Sequence, residues 1–211
     1  MVLERQNANP KPFFVRFVYI LRPECGTGTK NTHMQHLTAT VQIKGEQLLL
    51  HPHKAIFWKA RATLLLADLH LGKITHFRKN GFPVPQDAGR QNWDKLTGLL
   101  IDLQPARVIF LGDLFHSEYN DEWDELTQLT AQFSHITFEL VVGNHDILAE
   151  DHYEACGLLV HREALIHSPF LLTHEPTEPF DTGYFNLAGH IHPSVRLKGQ
   201  GRQRLRLPCF Y

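Results

Sequence analysis

The chain has 211 residues, 43% of them hydrophobic and 20% charged, with a formal net charge of -1. That is the composition of an ordinary globular protein with room for one domain and a sizeable core, and it excludes a global basic field while leaving a local basic patch open. Cys25, Cys156 and Cys209 lie far apart with no CxxC pair, so they read as free thiols in a reducing compartment, not as a disulfide frame or zinc ribbon. Histidine is the compositional outlier, with 15 copies.

Residues 1–33 differ from the rest. The run 13–21 is apolar apart from Arg16 and too short to span a bilayer. No small-x-small cleavage site follows it, and Pro23-Glu24 stands where a signal peptide would need one. The expectation is a disordered extension or a misassigned start, with Met34 the natural beginning and one domain over 34–211.

From Val41 the pattern becomes regular. Residues 48–50 and 55–58 are short strand candidates, separated by His51-Pro52-His53, which the proline and the lack of a nearby carboxylate mark as a turn. Residues 63–67 form a compact apolar run suited to a buried strand and end in Asp68-Leu69-His70. After Lys73, His76 and Arg78 and the turn at Pro83-Val84-Pro85, helical spacing of Trp93, Leu96, Leu99, Leu100 and Leu103 predicts a helix over 86–103. Residues 108–111 are a buried strand ending in Gly112-Asp113. Residues 121–133 are a second amphipathic helix, acidic in its first turn where the helix dipole favours it.

A third strand, 136–142, ends in Gly143-Asn144-His145-Asp146. Residues 158–161 and 164–166 look like a hairpin, 170–173 is a strand ending in His174, and 184–188 runs into Gly189-His190-Ile191-His192-Pro193. Extended residues at i and i+2 point to the same side, so both imidazoles are expected to face one metal-sized site, with Gly189 letting the backbone turn. Residues 204–207 alternate basic and apolar side chains as an edge strand would, and the chain then stops at Tyr211 in mid-pattern, like a truncated C-terminus whose missing piece would finish a second sheet. The alternation of strands and helices predicts an α/β sandwich.

A short apolar strand followed at once by oxygen and nitrogen ligands recurs along the chain: Asp68 and His70, Asp113, Asn144, His174, His190 and His192. In α/β folds ligands gather beyond the carboxyl ends of the strands. This set exceeds the needs of one metal and points to two, ~3.5–4 Å apart, able to clamp an in-line displacement at phosphorus. Asp68, Asp113 and a bridging hydroxide would leave two divalent cations with a positive remainder suited to a phosphate oxygen. Oxygen and imidazole ligands without thiolate suit manganese, iron, nickel or zinc, not calcium.

Asp68-x-His70, Gly112-Asp113, Gly143-Asn144-His145-Asp146, His174 and Gly189-His190-x-His192 together resemble the full motif set of the calcineurin-like metallophosphoesterases, over about residues 41–197. The resemblance implies a four-layer α/β/β/α sandwich. It also implies that Asp68, His70 and His192 hold one metal, that Asn144, His174 and His190 hold the other, and that Asp113 bridges them. His145 resembles the family's non-ligand histidine, which contacts the phosphate or protonates the leaving oxygen.

A narrower resemblance, carried by residues 66–73, Phe77-Arg78, Gly81 with Pro83-x-Pro85, and 111–117, is to the bacterial DNA ligase-associated metallophosphoesterases. It implies a cytoplasmic phosphodiesterase or endonuclease on nucleic acid, linked to DNA repair, encoded near a DNA ligase and a helicase, and without a membrane association. His116 and Ser117 stand where protein serine/threonine phosphatases carry an aspartate and an arginine, which argues against protein phosphatase activity.

Plainer readings stand beside these. Asp146 is expected to hydrogen-bond its loop, not to bind metal. His116 either faces substrate or packs under the metal loop, and Lys73, His76 and Arg78 form either a phosphate-binding patch or a solvated helix face. His135, His152, His161 and His167 carry no pattern and are taken as structural or exposed, and Trp58, Trp93 and Trp123 as packing residues. A phosphatase or phosphodiesterase for small molecules such as nucleotides, and a non-catalytic scaffold of the same fold, are the competing functions.

Overall fold

The computed structural model describes residues 38–72, 87–115, 122–177 and 183–211; the expected N-terminal extension lies outside them. β1 (Ala39–Ile43), β2 (Glu46–His51), β3 (Ala55–Trp58) and β4 (Thr63–Leu66) form an antiparallel meander. From β4 onward pairing turns parallel. Helix α1 (Asp87–Leu103) leads to β5 (Arg107–Leu111), α2 (Glu122–Gln132) to β6 (Thr137–Val141), and α3 (Glu150–Ala155) to β7 (Leu158–His161). Parallel neighbours need such long crossovers. The seven strands lie in chain order, β1-β2-β3-β4-β5-β6-β7.

β8 (Leu165–His167), β9 (Phe170–Thr173) and β10 (Phe185–Ala188) form a second sheet in the order β10-β9-β8. β11 (Ser194–Lys198) and β12 (Arg204–Pro208) pair only with each other, as an antiparallel ribbon.

The central strands are mostly apolar because they are covered on both faces, Glu139 of β6 being a buried exception. Leu64, Leu66, Val108, Phe110, Phe138 and Leu140 pack under the helices, against Trp93, Leu96 and Leu100 of α1, Trp123 and Leu126 of α2, and Tyr153 of α3. Their sequence neighbours Leu65, Ile109, Leu111 and Val141 point the other way and meet Phe170, Leu172 and Leu187 of the second sheet. Trp58 stands edge-on to Phe170 there, ring centres 4.9 Å apart. The described residues thus supply the helical layer, the large sheet and the second sheet of the expected sandwich, and they include no helix on the outer face of that second sheet.

The expected hairpin over 158–166 does not form. β7 pairs with β6 and β8 with β9, so Arg162-Glu163-Ala164 carries the chain from one sheet to the other. Apolar patterning reveals that both segments are strands, but it does not reveal their partners.

A polar strut crosses the same gap. Glu139, buried on β6, forms an ion pair with Arg107, Nε to Oε1 2.9 Å, and its Oε2 accepts from His161 Nε2 at 2.7 Å. Arg107 also donates to His167 Nε2 of β8 at 2.8 Å; burial, and then the guanidinium, hold the His167 ring below its usual pKa. His135 and His152 are exposed, as expected.

The turn reading of residues 51–53 holds. His51 is buried, and its Nδ1 accepts from the His53 backbone N–H at 3.2 Å. Burial, and then the neighbouring His53, lower the His51 pKa to about 4 from 6.5. Between those values the unfolded chain takes up a proton that the native chain refuses, so stability falls as pH drops through this window. His51→Gln should flatten that limb by up to about 1.4 kcal/mol per pH unit, read by urea denaturation between pH 4 and 7. Phe170→Ala, at a fully buried contact between the sheets, should cost about 3–5 kcal/mol in the same assay.

Candidate metal centre

The strand ends converge as the motif spacing implies. Asp68 follows β4, Asp113 follows β5, Asn144 follows β6, His174 follows β9 and His190 follows β10. Backbone bonds zip these loops together: Asp68 N–H donates to Gly112 O at 3.1 Å, His70 N–H to Asp113 O at 3.0 Å, and Gly189 N–H to His174 O at 2.9 Å. Asp68, His70, Asp113, His190 and His192 all hold left-handed backbone, φ between 47° and 65°. Such conformations cost energy in non-glycine residues and concentrate at functional sites.

The ligand-type atoms fall into two groups. Asp68, His70 and His192 offer atoms within 4.8 Å of one another, and so do Asp113, His174 and His190. In the first group His192 Nε2 lies 3.3 Å from Asp68 Oδ1, and the His192 ring stacks on that of His70 with centres 5.4 Å apart. In the second, His174 Nε2 lies 2.9 Å from Asn144 Oδ1, 3.1 Å from His190 Nδ1 and 3.3 Å from Asp113 Oδ1. The two groups are tied through His190, whose backbone N–H donates to the Asp68 carboxylate at 3.0 Å.

The orientation of His174 tests whether a metal fits. Its Nδ1 lies 2.9 Å from Leu111 O. A carbonyl only accepts, so Nδ1 carries a hydrogen, and in the tautomer that leaves Nε2 bare its lone pair faces Asp113, Asn144 and His190. Crowded acceptors repel unless a cation lies among them, and a backbone bond at the far nitrogen is the usual support of a metal-binding imidazole. The donor set therefore fits a divalent cation. Asp113 is 2% exposed and His174 5%, so this group is shielded on the protein side, whereas His190 and His192 are open to solvent.

Asp146 does what its place in the loop suggested. Its Oδ1 accepts from the backbone N–H of Leu114 at 3.0 Å and Phe115 at 3.3 Å, and its Oδ2 from that of Gly143 at 2.9 Å. One carboxylate so clamps the Asp113 loop to the Asn144 loop, and burial raises its pKa in spite of those donors. His145 donates its backbone N–H to Asp113 Oδ1 at 2.9 Å, and its exposed ring stands edge-on to His70, centres 5.6 Å apart.

Two local expectations change. His190 and His192 lie beyond β10, not within an extended segment, and they join different groups; the left-handed φ at both residues removes the i, i+2 alternation that a strand would impose. Gly189 is not left-handed either. It is required by close approach, because an added Cβ would lie 2.7 Å from Ala67 Cβ and 2.9 Å from Asp68 Oδ2.

Lys73, His76, Arg78 and His116 fall outside the described residues. An open depression of about 430 Å³ lies beside Asn144 and His174 and is lined also by Arg162, Glu163 and Glu175, which belong to no motif. Nothing in the local sequence of 162–164 announced it, because the crossover that places it there is a tertiary feature.

Residues 62–205 match the calcineurin-like phosphoesterase family. Among solved structures the chain is similar to the Pseudomonas putida nuclease MPE, with 31% identity and a TM-score of 0.69 over 81% of this chain and 80% of that one. No curated relative matches the chain.

Glycines on and off the centre should behave oppositely. At Gly112, φ +75°, a Cβ would strike the His174 ring, so Gly112→Ala should weaken manganese binding by at least about tenfold, read by calorimetry. Gly98 of α1 has nothing within 4 Å of an added Cβ, so Gly98→Ala should raise stability by about 0.5–1 kcal/mol and leave metal affinity unchanged.

Proposed function

The chain belongs to the calcineurin-like phosphoesterase family, and on that footing we propose that it hydrolyses phosphodiester bonds in nucleic acid with two divalent ions. That it is a metal-dependent phosphoesterase follows from the family and the ligand groups. The observation that carries the two-ion reading is the pairing of ligand groups, each within 4.8 Å, at the ends of neighbouring strands. Support for a nucleic-acid substrate comes from the similar nuclease. Manganese is the first metal to test, with iron, nickel and zinc compatible with the same ligands.

Asp68, His70 and His192 would hold one ion; Asn144, His174 and His190 the other, with Asp113 shared. Bound there, the ions would supply a water of lowered pKa and positive charge to receive phosphate oxygens. The chain's own work is positional. The Leu111 carbonyl holds His174 in one tautomer, and Asp146 keeps the two loops in register. His145 is tethered through its backbone and leaves its ring exposed over the first group, where it contacts the phosphate and passes a ring proton to the leaving oxygen. A cytoplasmic role in DNA repair beside a ligase and a helicase is the setting that the narrower resemblance implies. Among the described residues no helix is long and apolar enough to cross a membrane.

The competing reading is a small phosphoester substrate, which the open depression of about 430 Å³ beside Asn144 and His174 would admit. Manganese-dependent turnover of bis-p-nitrophenyl phosphate, its monoester and duplex DNA separates the two. The expected result is turnover of the diester and of DNA, lost in Asp113→Ala and lowered roughly 10²–10⁴-fold in His145→Ala. Monoester turnover alone would move the assignment to a small-molecule phosphatase. A protein that binds no metal would be the non-catalytic scaffold.

A further inference from the structure

Residues 183–211 contain Arg196, Lys198, Arg202, Arg204 and Arg206 and no aspartate or glutamate, in a chain whose net charge is -1. The pairing of β11 with β12 sorts these residues by face. Arg196 stands opposite Arg206 and Lys198 opposite Arg204, whereas Val195 pairs with Leu207 and Leu197 with Leu205. Alternation puts the cations on one side and the apolar residues on the other. The bond from Arg206 Nε to Ser194 Oγ, 2.6 Å, joins two members of the cationic side. All five basic residues are exposed, and no ion pair of the described residues involves them.

Like charges directly opposite each other destabilise an antiparallel pair. Here two such pairs follow one another, about 7 Å apart along the strands, and no carboxylate of the ribbon offsets them. The ribbon also grows out of the metal centre. Arg196 follows the ligand-type His192 by four residues, so their Cα atoms lie within about 14 Å of each other. Cys209 N–H donates to Pro193 O at 3.0 Å, so the ribbon is closed where it leaves the centre, and Phe210 packs on the core between the sheets.

We propose that the β11–β12 ribbon is a grip for the phosphodiester backbone of a nucleic-acid duplex, its cationic face on the phosphates and its base at the metal centre. The inference rests on the nucleic-acid reading above. A duplex carries a charge per about 1.7 Å of axis, dense enough to neutralise the adjacent Arg196–Arg206 and Lys198–Arg204 pairs. The contacts are to backbone, so the grip is indifferent to sequence.

The test is binding of phosphorothioate duplex DNA and duplex RNA by the full manganese-loaded chain across a salt series, with cleavage of ordinary duplex run in parallel. Arg196→Gln/Arg206→Gln should bind at least about tenfold more weakly, with the salt slope flattened by about 0.9 per cation removed. Its ratio of duplex cleavage to bis-p-nitrophenyl phosphate turnover should fall at least about tenfold too. Melting temperature should not drop, because a repulsive pair is relieved, and Arg196→Lys/Arg206→Lys should keep the slope. The DNA and RNA arms show which duplex is held. An unchanged slope in the glutamine variant overturns the grip and leaves the nuclease reading standing. Ribbon-dependent binding without cleavage keeps the grip and overturns the nuclease reading. No duplex binding by the parent chain overturns both, and arginine-dependent binding to phosphatidylglycerol vesicles in its place would assign the ribbon to membranes.

Discussion

The hydrogen bond from His174 Nδ1 to the carbonyl of Leu111, 2.9 Å, is the contact on which the rest of the centre depends. It joins an imidazole at the end of β9, in the small sheet, to the last residue of β5, in the large one. Without it His174 has no fixed tautomer, and the lone pair that must face Asp113 and Asn144 is free to turn away. The bond forms only if the two sheets are seated on each other. The apolar gap filled by Ile109, Leu111, Phe170 and Leu172 is therefore part of the site as much as the ligands are. Interiors are close-packed and respond to a lost methylene, so a packing change between the sheets reaches the ligands directly.

The loops beyond the strands meet a second constraint. Several acceptor atoms must be held together before any cation neutralises them, which is unfavourable by itself. Backbone N–H groups bear part of that cost. His190 N–H serves Asp68, His145 N–H serves Asp113, and three further amides serve Asp146. The left-handed φ values of Asp68, His70, Asp113, His190 and His192 lie in these same loops. The architecture around the loops over-determines them, which is how strain of this kind persists.

Charge is distributed with the same economy. The acidic residues of the centre, Asp68, Asp113 and Asp146, sit in loops beyond the strands and accept from backbone amides, while the ribbon that leaves the centre at Pro193 carries basic residues that form no ion pair among the described residues. A chain close to neutral overall thus sets clustered ligand-type side chains beside a ribbon that carries only basic charges. Net charge conceals this arrangement, because it sums over surfaces that a bound polyanion would meet separately.

The sequence by itself determined the elements and the chemistry. Largely apolar runs ending in Asp68, Asp113, Asn144 and His174 marked buried strands with ligand-type residues beyond their ends, because a strand covered on both faces is mostly apolar until it leaves the sheet. The spacing of Trp93, Leu96, Leu99 and Leu100 marked α1 for the reason that helices bury one stripe. Partnership and direction were decided only in the tertiary structure. Residues 158–161 and 164–166 look like a hairpin in the sequence, but the strands formed there belong to different sheets, since pattern encodes burial and not neighbour. His190 and His192, read as extended and facing one site, join different groups, because left-handed φ values are imposed by the loops they pack against and leave no trace in residue order. Arg196 and Arg206 stand apart in the sequence, and only the register of β11 with β12 brings them face to face.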